Sequence, residues 1–269
     1  LIDDNPTNIS APITPVAKAD VTVTVNNSTQ TFETEILFDS LAGAVAAVKD
    51  GGTVTLLDDV TESVEIAADK NITLDLNGKT LTNTDGKHTI ENRGTLIVTD
   101  SSTDKSGKVD NVSNGKIPFV NYEGATATLN GGSFDRSLEN GKNGNSCYTI
   151  QNHGTMTIND GVSVNNNGTH SSNITNGYFT SSEAAASSVT PTLTINGGKF
   201  SGGAATIKND EKGILNINDG TFSNGICLIQ NWNITTITNG TFIGKSGAYN
   251  GTTAAIFNGI DPGNDRAIG

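Results

Sequence analysis

The residues of this sequence that are best suited to hold a ligand lie beside a repeated asparagine. A phrase of one apolar residue, one variable residue and Asn recurs six times, ending at Asn92, Asn121, Asn152, Asn209, Asn231 and Asn258. Large polar and aromatic residues directly follow or precede these asparagines, namely Arg93, Tyr122, His153, Trp232, Gln151 and Gln230. Aromatic rings stack on sugars and side-chain amides bind hydroxyl groups, so the pattern indicates a glycan-binding stripe along one edge. The alternative is that these turn positions vary freely and the large residues share no role.

No catalytic residue is predicted. Glycoside hydrolysis needs two facing carboxylates at a defined separation, and the outward strand positions here are mainly Thr, Asn and Gln. The segment 83–86 resembles the Asn-Thr-Asp segment of polygalacturonases, but their Gly-His-Gly segment is Asn-His-Gly around His153, and their Arg-Ile-Lys segment has no counterpart. A polysaccharide lyase or hydrolase acting on a pectin-like substrate is therefore the second hypothesis.

The sequence also gives little support for a metal site or a disulfide bond. His88, His153 and His170 lack the spacing of metal ligands, so we expect no metal and no cofactor. The run from Asp100 to Asp104 leaves a calcium ion in a loop open, although the glycine-hinged calcium-loop pattern is absent. Cys147 and Cys227 lie at least two repeats apart, beyond the reach of a disulfide, and two buried free thiols are expected.

Composition excludes two classes of partner. The 269 residues carry a net charge of −12 and the pI is about 4.5, whereas a nucleic-acid-binding surface needs concentrated positive charge. We therefore expect no binding to nucleic acid. No apolar run approaches the roughly 20 residues that cross a bilayer, so no membrane span is expected either. An acidic surface is typical of a soluble extracellular protein.

The elements that must position the stripe are short strands. Most copies of the Asn phrase precede an alternating strand, such as 95–98, 155–158 or 192–195, and then a glycine turn. A phenylalanine follows four of these turns, at Phe134, Phe200, Phe222 and Phe242. The shortest repeat, 22 residues from Asn209 to Asn231, is typical of one turn of a solenoid. We therefore predict an all-β, single-stranded, right-handed parallel β-helix with an internal asparagine ladder and a phenylalanine stack.

The chain divides into three predicted parts. Residues 1–20 contain three prolines and no periodicity, which indicates a linker or tether. Residues 21–52 form an amino-terminal cap, with a β-hairpin and then a helix over 38–49 that covers the first coil. Residues 53–269 form the β-helix. No capping element follows its last coil, so we expect the chain to be cut from a longer protein, and to be a monomer or to make end-to-end contacts there.

Three segments carry a resemblance to a family. Residues 51–57, 71–81 and 90–100 resemble the amino-terminal cap and first coils of β-helical, pectate-lyase-like surface proteins of Gram-positive, often gut-dwelling, bacteria. The resemblance covers residues 37–245 and implies an extracellular location, on the cell surface or anchored to the wall. Members are described mainly as adhesins or polysaccharide-associated proteins, so the resemblance implies a polysaccharide or a host glycan as partner.

The first functional hypothesis is therefore a non-catalytic adhesin or glycan-binding module. A structural stalk that presents another domain is a further hypothesis. A minor one is ice binding, since a flat row of outward threonines is typical of ice-binding solenoids, although Thr also suits any solvent-facing strand. The row consists of Thr126, Thr128, Thr155, Thr157, Thr192 and Thr194.

Overall fold

The computed structural model describes residues 13–24, 31–139, 146–244 and 255–258. The described chain is all-β, with 26 strands in three long sheets and two short helices, α1 (Leu41–Ala47) and α2 (Ser181–Ala186). The prediction of an all-β protein is confirmed. The fold matters here because it decides which side chains share an edge.

Each sheet is built from every third strand of the repeat. The strands of sheet A, in spatial order, are β2 (Thr31–Phe38), β1 (Ala17–Thr24), β3 (Thr53–Leu56), β6 (Asn71–Asp75), β9 (Thr95–Thr99), β12 (Thr126–Leu129), β15 (Thr155–Ile158), β18 (Thr192–Ile195), β21 (Ile214–Ile217) and β24 (Ile234–Ile237). Those of sheet B are β25 (Thr241–Gly244), β22 (Thr221–Asn224), β19 (Lys199–Gly202), β16 (Val162–Asn166), β13 (Gly132–Arg136), β10 (Lys108–Asp110), β7 (Thr80–Thr82) and β4 (Val60–Thr61). Those of sheet C are β26 (Ile256–Asn258), β23 (Ile229–Asn231), β20 (Ile207–Asn209), β17 (Ile174–Asn176), β14 (Ile150–Asn152), β11 (Phe119–Asn121), β8 (Ile90–Asn92) and β5 (Val64–Ile66).

From β3 onward the chain visits sheets A, B and C in turn, and each strand from β3 to β23 pairs in parallel with the strand three elements later. We call one such visit to the three sheets a coil. The register places equivalent residues side by side, for example Thr126 with Thr155 and Asn121 with Asn152. Neighbouring strands lie about 4.8 Å apart, so a column of equivalent side chains runs the length of the sheets.

The alternation of apolar and polar residues decides which face of each strand is buried. In β15 Met156 and Ile158 are fully buried, whereas Thr155 is exposed. The same alternation in the other strands fills one continuous core with Ile, Leu and Val. β-Branched residues suit this arrangement because they pack well on a pleated, half-buried surface.

The amino-terminal end of the core is covered. β1 and β2 form an antiparallel hairpin, and β1 also pairs antiparallel with β3. Ser40 caps α1 by accepting a hydrogen bond from the Gly43 amide, and Leu41 and Val45 are buried on the core. The predicted helix over 38–49 was too long at both ends, because β2 continues to Phe38 and the cap lies at Ser40.

The aromatic column departs from its prediction at one place. Phe200, Phe222 and Phe242 stack with ring centroids 4.8 and 4.9 Å apart. Phe134 does not join them, because Val164 lies between Phe134 and Phe200 in the strand register. Phe134 instead contacts Phe119 edge-to-face at 5.8 Å.

The structure describes only part of the chain for which domain bounds were predicted. β1 begins at Ala17, four residues before the predicted start of the cap at Val21. Most of the predicted tether, residues 1–12, and the predicted cut end, residues 259–269, lie outside the described residues.

Candidate functional site

An asparagine ladder fixes the corner at which sheet C turns into sheet A. The side-chain amide of each member donates to the side-chain oxygen of the next at 2.7–2.9 Å. The members are Asn92, Asn121, Asn152, Asn176, Asn209, Asn231 and Asn258. Asn176 was missed in the sequence. It ends the same phrase, Ile174-Thr175-Asn176, and the 57-residue interval between Asn152 and Asn209 is too long for one short coil.

The ladder is satisfied on every side. Asn152, for example, also donates to the carbonyls of Gly154 and Thr192 at 3.1 Å, and its Oδ1 accepts from the Gly154 amide at 3.2 Å. Its side chain is fully buried. Buried amides with complete hydrogen bonding hold one backbone geometry, so the residue after each Asn has a fixed position at the corner.

The first group on this corner joins Arg93 and Tyr122. The Arg93 guanidinium lies 3.8 Å from the centre of the Tyr122 ring, and its Nε donates to Glu65 at 3.2 Å. The Tyr122 hydroxyl donates to Glu91 at 2.7 Å. Burial, and then the bond to Glu91, raise the pKa of Tyr122 to about 12, so its hydroxyl stays protonated. Arg93 keeps 42% of its side chain exposed, so this group presents a cation, a carboxylate and a ring to solvent.

The next group along the corner joins His153 and Tyr178. Their rings stack with centroids 5.0 Å apart. The Tyr178 hydroxyl donates to Glu123 at 2.8 Å and lies 2.6 Å from the Ser187 hydroxyl. Burial raises the pKa of Tyr178 to about 12 and lowers the pKa of His153, which favours neutral rings near pH 7.

The third group contains an exposed ring. Phe179 is 54% exposed, and the Lys208 ammonium lies 4.4 Å from its ring centre. Lys208 also pairs with the fully buried Asp210 at 3.2 Å, and Asp210 accepts from the Thr175 hydroxyl at 3.1 Å. We call Tyr122, His153, Tyr178 and Phe179 the ring row, in which Tyr178 is only 4% exposed and supports the His153 ring instead of offering a free ring face itself.

An excursion between β17 and β18 supplies the last two members of the ring row. Tyr178 and Glu211 exchange backbone hydrogen bonds at 3.0 and 3.1 Å, and the Lys212 ammonium donates to the Ser187 carbonyl at 2.8 Å. A capping box of Thr180 and Glu183 starts α2 within the excursion. That Thr-x-x-Glu motif was visible in the sequence and could have revealed the helix. Its contact with the corner depends on the tertiary structure.

The carboxyl-terminal part of the predicted stripe is covered. Trp232 is only 4% exposed and meets Phe257 edge-to-face at 5.3 Å, so its ring faces are not available for stacking. Gln230 is 1% exposed, whereas Gln151 is half-buried. Of the six predicted ligand-binding residues, the structure groups Arg93 with Tyr122 and places His153 beside them, while Trp232 and Gln230 lie under the surface.

The acidic residues singled out in the sequence away from the ring row have local structural roles. Burial opposes ionisation of Asp100, but hydrogen bonds from Ser102, Gly107 and Gly78 outweigh burial and lower the pKa of this carboxyl. Asp85 pairs with Lys87 at 3.6 Å within its turn. Within the described ranges, no three His, Cys, Asp or Glu side chains are grouped as metal ligands would be. Cys147 and Cys227 are both free thiols, but the prediction that both are buried is wrong for Cys147, which is only half-buried, whereas Cys227 is buried.

Sheet A presents a second regular surface. Thr95, Thr126, Thr155 and Thr192 are paired in register, and so are Thr128, Thr157 and Thr194 beside them. An exposed asparagine column borders these rows, with amide-to-amide hydrogen bonds of 2.7–2.9 Å. Its members are Asn130, Asn159, Asn196 and Asn218. The surface is a regular array of hydroxyl and amide groups.

Comparison of the chain with models of protein families, with curated protein sequences and with solved structures gives no significant match. In the parts of the chain that the structure describes, no helix has the length and apolar character needed to cross a membrane.

Proposed function

We propose that this chain is a single-stranded, right-handed parallel β-helix that acts as a non-catalytic, extracellular glycan-binding module, carried on a cell surface or wall as an adhesin. The rotation of the chain through three parallel sheets supports the β-helix. Right-handed crossovers are expected because they dominate between parallel strands. The resemblance of residues 51–57, 71–81 and 90–100 to Gram-positive surface proteins, together with the net charge of −12, supports the location.

The ring row is the observation that carries the proposal. Ring faces, a cation and carboxylates recur at one corner on successive coils, from Arg93 and Tyr122 through His153 to Phe179. An extended glycan presents the same alternation of apolar ring faces and hydroxyl groups, repeated along a line. A polysaccharide lying parallel to the long axis of the sheets would meet one group after another.

The hydrogen bonding of the ring row favours binding over catalysis. The hydroxyls of Tyr122 and Tyr178, both with a pKa of about 12, donate to the carboxylates of Glu91 and Glu123. A general acid or base works best with a pKa near the working pH. These groups are therefore better suited to orient rings and bind hydroxyl groups than to transfer protons.

Binding to immobilised plant and host polysaccharides tests the proposal. Phe179→Ala and Tyr122→Ala should each weaken binding about tenfold, which corresponds to roughly 1.4 kcal/mol. Thr157→Ala, on sheet A, is the control and should bind as the wild type does. Absence of binding to every polysaccharide would leave the structural stalk as the better explanation. Release of reducing ends or unsaturated products would establish the lyase or hydrolase instead.

The threonine rows support a second candidate, ice binding. Seven threonines in two adjacent rows face outward in register over four strands, as a surface that orders water would require. Inhibition of ice recrystallisation by the wild-type chain, abolished in Thr157→Lys and retained in Phe179→Ala, is the expected result for this candidate. Equal inhibition by wild type and Thr157→Lys would rule it out.

A further inference from the structure

The corner that carries the ring row holds more carboxylates than cations. Among the described residues of the corner and its excursion, the carboxylates belong to Glu65, Glu91, Glu123, Glu183, Asp210 and Glu211, and the cations to Arg93, Lys208 and Lys212. Six carboxylates against three cations leave an excess of three negative charges at this corner. A glycan that lies along the ring row therefore meets a negative field.

The three cations of the corner are already bound within the protein. The Arg93 guanidinium lies 3.2 Å from the Glu65 carboxylate. The Lys208 side chain is only 10% exposed, and its ammonium lies 3.2 Å from the Asp210 carboxylate. The Lys212 ammonium donates to a backbone carbonyl at 2.8 Å. A negatively charged sugar would have to compete with these partners for each cation.

Two exposed carboxylates beside the His153 ring have no cationic partner among the described residues. Glu123 accepts a hydrogen bond from the Tyr178 hydroxyl at 2.8 Å, and Glu183 accepts one from the Thr180 amide at 3.0 Å. Both carboxylates are close enough to His153 to oppose the fall in its pKa that burial causes. Their negative charge is therefore available to a ligand that lies on this group.

An amino sugar with a free amine carries both groups that fit this arrangement. The apolar face of its ring can lie on an aromatic ring, and its protonated amine is attracted to carboxylates and to the negative faces of aromatic rings. Phe179 is 54% exposed and provides ring surface, while Glu123 and Glu183 provide the negative charge. A uronic acid offers a similar ring face, but its carboxylate would be repelled.

We propose that the ring row prefers glycans with free amino groups, such as de-N-acetylated amino-sugar polymers, over neutral glycans and over uronic-acid polymers. This inference rests on the proposed glycan binding and adds the charge of the ligand. Neutral glycans keep the ring contacts but lose the attraction, and polyuronates add repulsion. Affinity should therefore decrease in that order.

Two forms of one oligosaccharide test the proposal. A glucosamine oligomer and its fully N-acetylated form share one backbone and differ in charge, and an oligogalacturonate of equal length has the opposite charge. Titration calorimetry at about pH 6, where the amines carry protons, should show binding of the amine form about tenfold tighter than that of the acetylated form. The oligogalacturonate should bind most weakly. Added salt should weaken binding of the amine form and leave that of the acetylated form unchanged.

Matched variants separate the charge of the ring row from its aromatic contacts. Glu123→Gln keeps an oxygen that can accept from the Tyr178 hydroxyl, and should weaken binding of the amine form about threefold without affecting the acetylated form. Phe179→Ala should weaken binding of both forms by the same factor, because ring contacts do not depend on the charge of the sugar. Glu35→Gln, on β2, removes an exposed carboxylate and is the control, which should bind as the wild type does.

The other outcomes distinguish failure of this preference from failure of glycan binding. Equal affinity for the amine and acetylated forms, or tighter binding of the oligogalacturonate, would overturn the preference and leave glycan binding in place. Binding of neutral polysaccharides without binding of the amine form would do the same. Equal weakening by Glu123→Gln and Glu35→Gln would overturn it by placing the attraction in the overall charge of the chain. Absence of binding to every saccharide would remove the proposed function itself, and the preference with it.

Discussion

At the scale of single residues, the molecule contains two hydrogen-bonded columns of asparagine side chains, one buried and one exposed. The ladder through Asn152 is buried and bonded on all sides, whereas the column through Asn159 forms similar amide-to-amide bonds on the exposed surface of sheet A. A hydrogen bond contributes little net stability when water can replace it, but a buried group that loses its partner pays the full desolvation penalty. Burial, and not bond length, should decide which column matters for folding.

Asn152→Ala should lower the free energy of unfolding by about 3 kcal/mol, because the Asn121 and Asn176 amides would each lose a buried partner. Asn159→Ala is the matched control and should cost less than about 0.5 kcal/mol. Urea denaturation of the two variants gives the comparison. Equal losses would mean that the buried ladder does not stabilise the corner.

A buried ion pair predicts how stability depends on pH. Arg136 and Glu139 are both buried and lie 2.8 Å apart. Burial opposes ionisation of Glu139, but hydrogen bonds from Ser146 and Asn114 and the charge of Arg136 outweigh it and lower the pKa of this carboxyl to about 2. Since the unfolded carboxyl titrates near about pH 4.3, the pair stabilises the fold fully above that pH and progressively less as the pH falls toward 2.

Glu139→Gln should therefore flatten the acid limb of the stability curve. The wild type should lose up to about 3 kcal/mol more than this variant between pH 5 and pH 2. Glu35→Gln, which alters an exposed carboxylate, is the control and should follow the wild type. Unfolding by urea at a series of pH values is the measurement, and parallel curves for all three proteins would contradict the assignment.

At the scale of elements, short pieces of structure close or fill the long sheets. α1 contains only seven residues, too few to be stable alone, yet Leu41 and Val45 pack on the core. Its first amides, at Leu41 and Ala42, donate to the Glu62 carboxylate at 3.1 and 3.2 Å. Tertiary contacts thus stabilise the helix, and the helix in turn covers the end of the core.

Leu41→Ala should destabilise the fold by about 2–5 kcal/mol, the usual cost of truncating a buried leucine. Ala46→Ser, on the exposed side of the same helix, should change stability by less than about 0.5 kcal/mol. Thermal unfolding followed by calorimetry compares them. A small effect of Leu41→Ala would show that α1 is not needed to close the core.

The phenylalanine stack gives a graded prediction. Phe222 is fully buried between Phe200 and Phe242, and Phe222→Ala should cost about 3–5 kcal/mol. Phe242 lies in the last described coil and is only partly buried, so Phe242→Ala should cost less. Chemical denaturation measures both losses, and the reverse order would contradict this dependence on burial.

At the scale of the whole molecule, each coil pairs only with its neighbours, so local stability depends on position along the sheets. α1 and the hairpin cover the core at the amino-terminal end. Among the described strands, β15 has a paired neighbour on both sides, whereas β24 has one. A strand with one paired neighbour opens more easily than a strand with two.

Hydrogen exchange can detect that difference. Amides of β24 should exchange faster than those of β15, because β15 is paired on both sides. Exchange in β15 is the internal reference for the stability of the middle of the sheets. Equal exchange rates in the two strands would contradict this difference in local stability.

Much of the repetitive architecture was predictable because the signal lies in the sequence itself. Strand alternation, glycine turns and the Asn phrase recur in the same order, and parallel pairing then aligns equal residues, as Asn121, Asn152 and Asn209 show. The missed member, Asn176, ends the same phrase. It was overlooked because the residues that follow it, Gly177-Tyr178, differ from the Gly-Thr step that follows most other copies.

Local periodicity in the sequence was sufficient to predict the strands, the core faces and the corner that carries the ring row. Which corner residues remain accessible depends on contacts between distant segments of the fold. Trp232 is buried against Phe257, Phe179 is exposed by an excursion that returns to Glu211, and Val164 interrupts the phenylalanine column. Accessibility depends on what distant segments cover, and no local pattern in a single sequence encodes that.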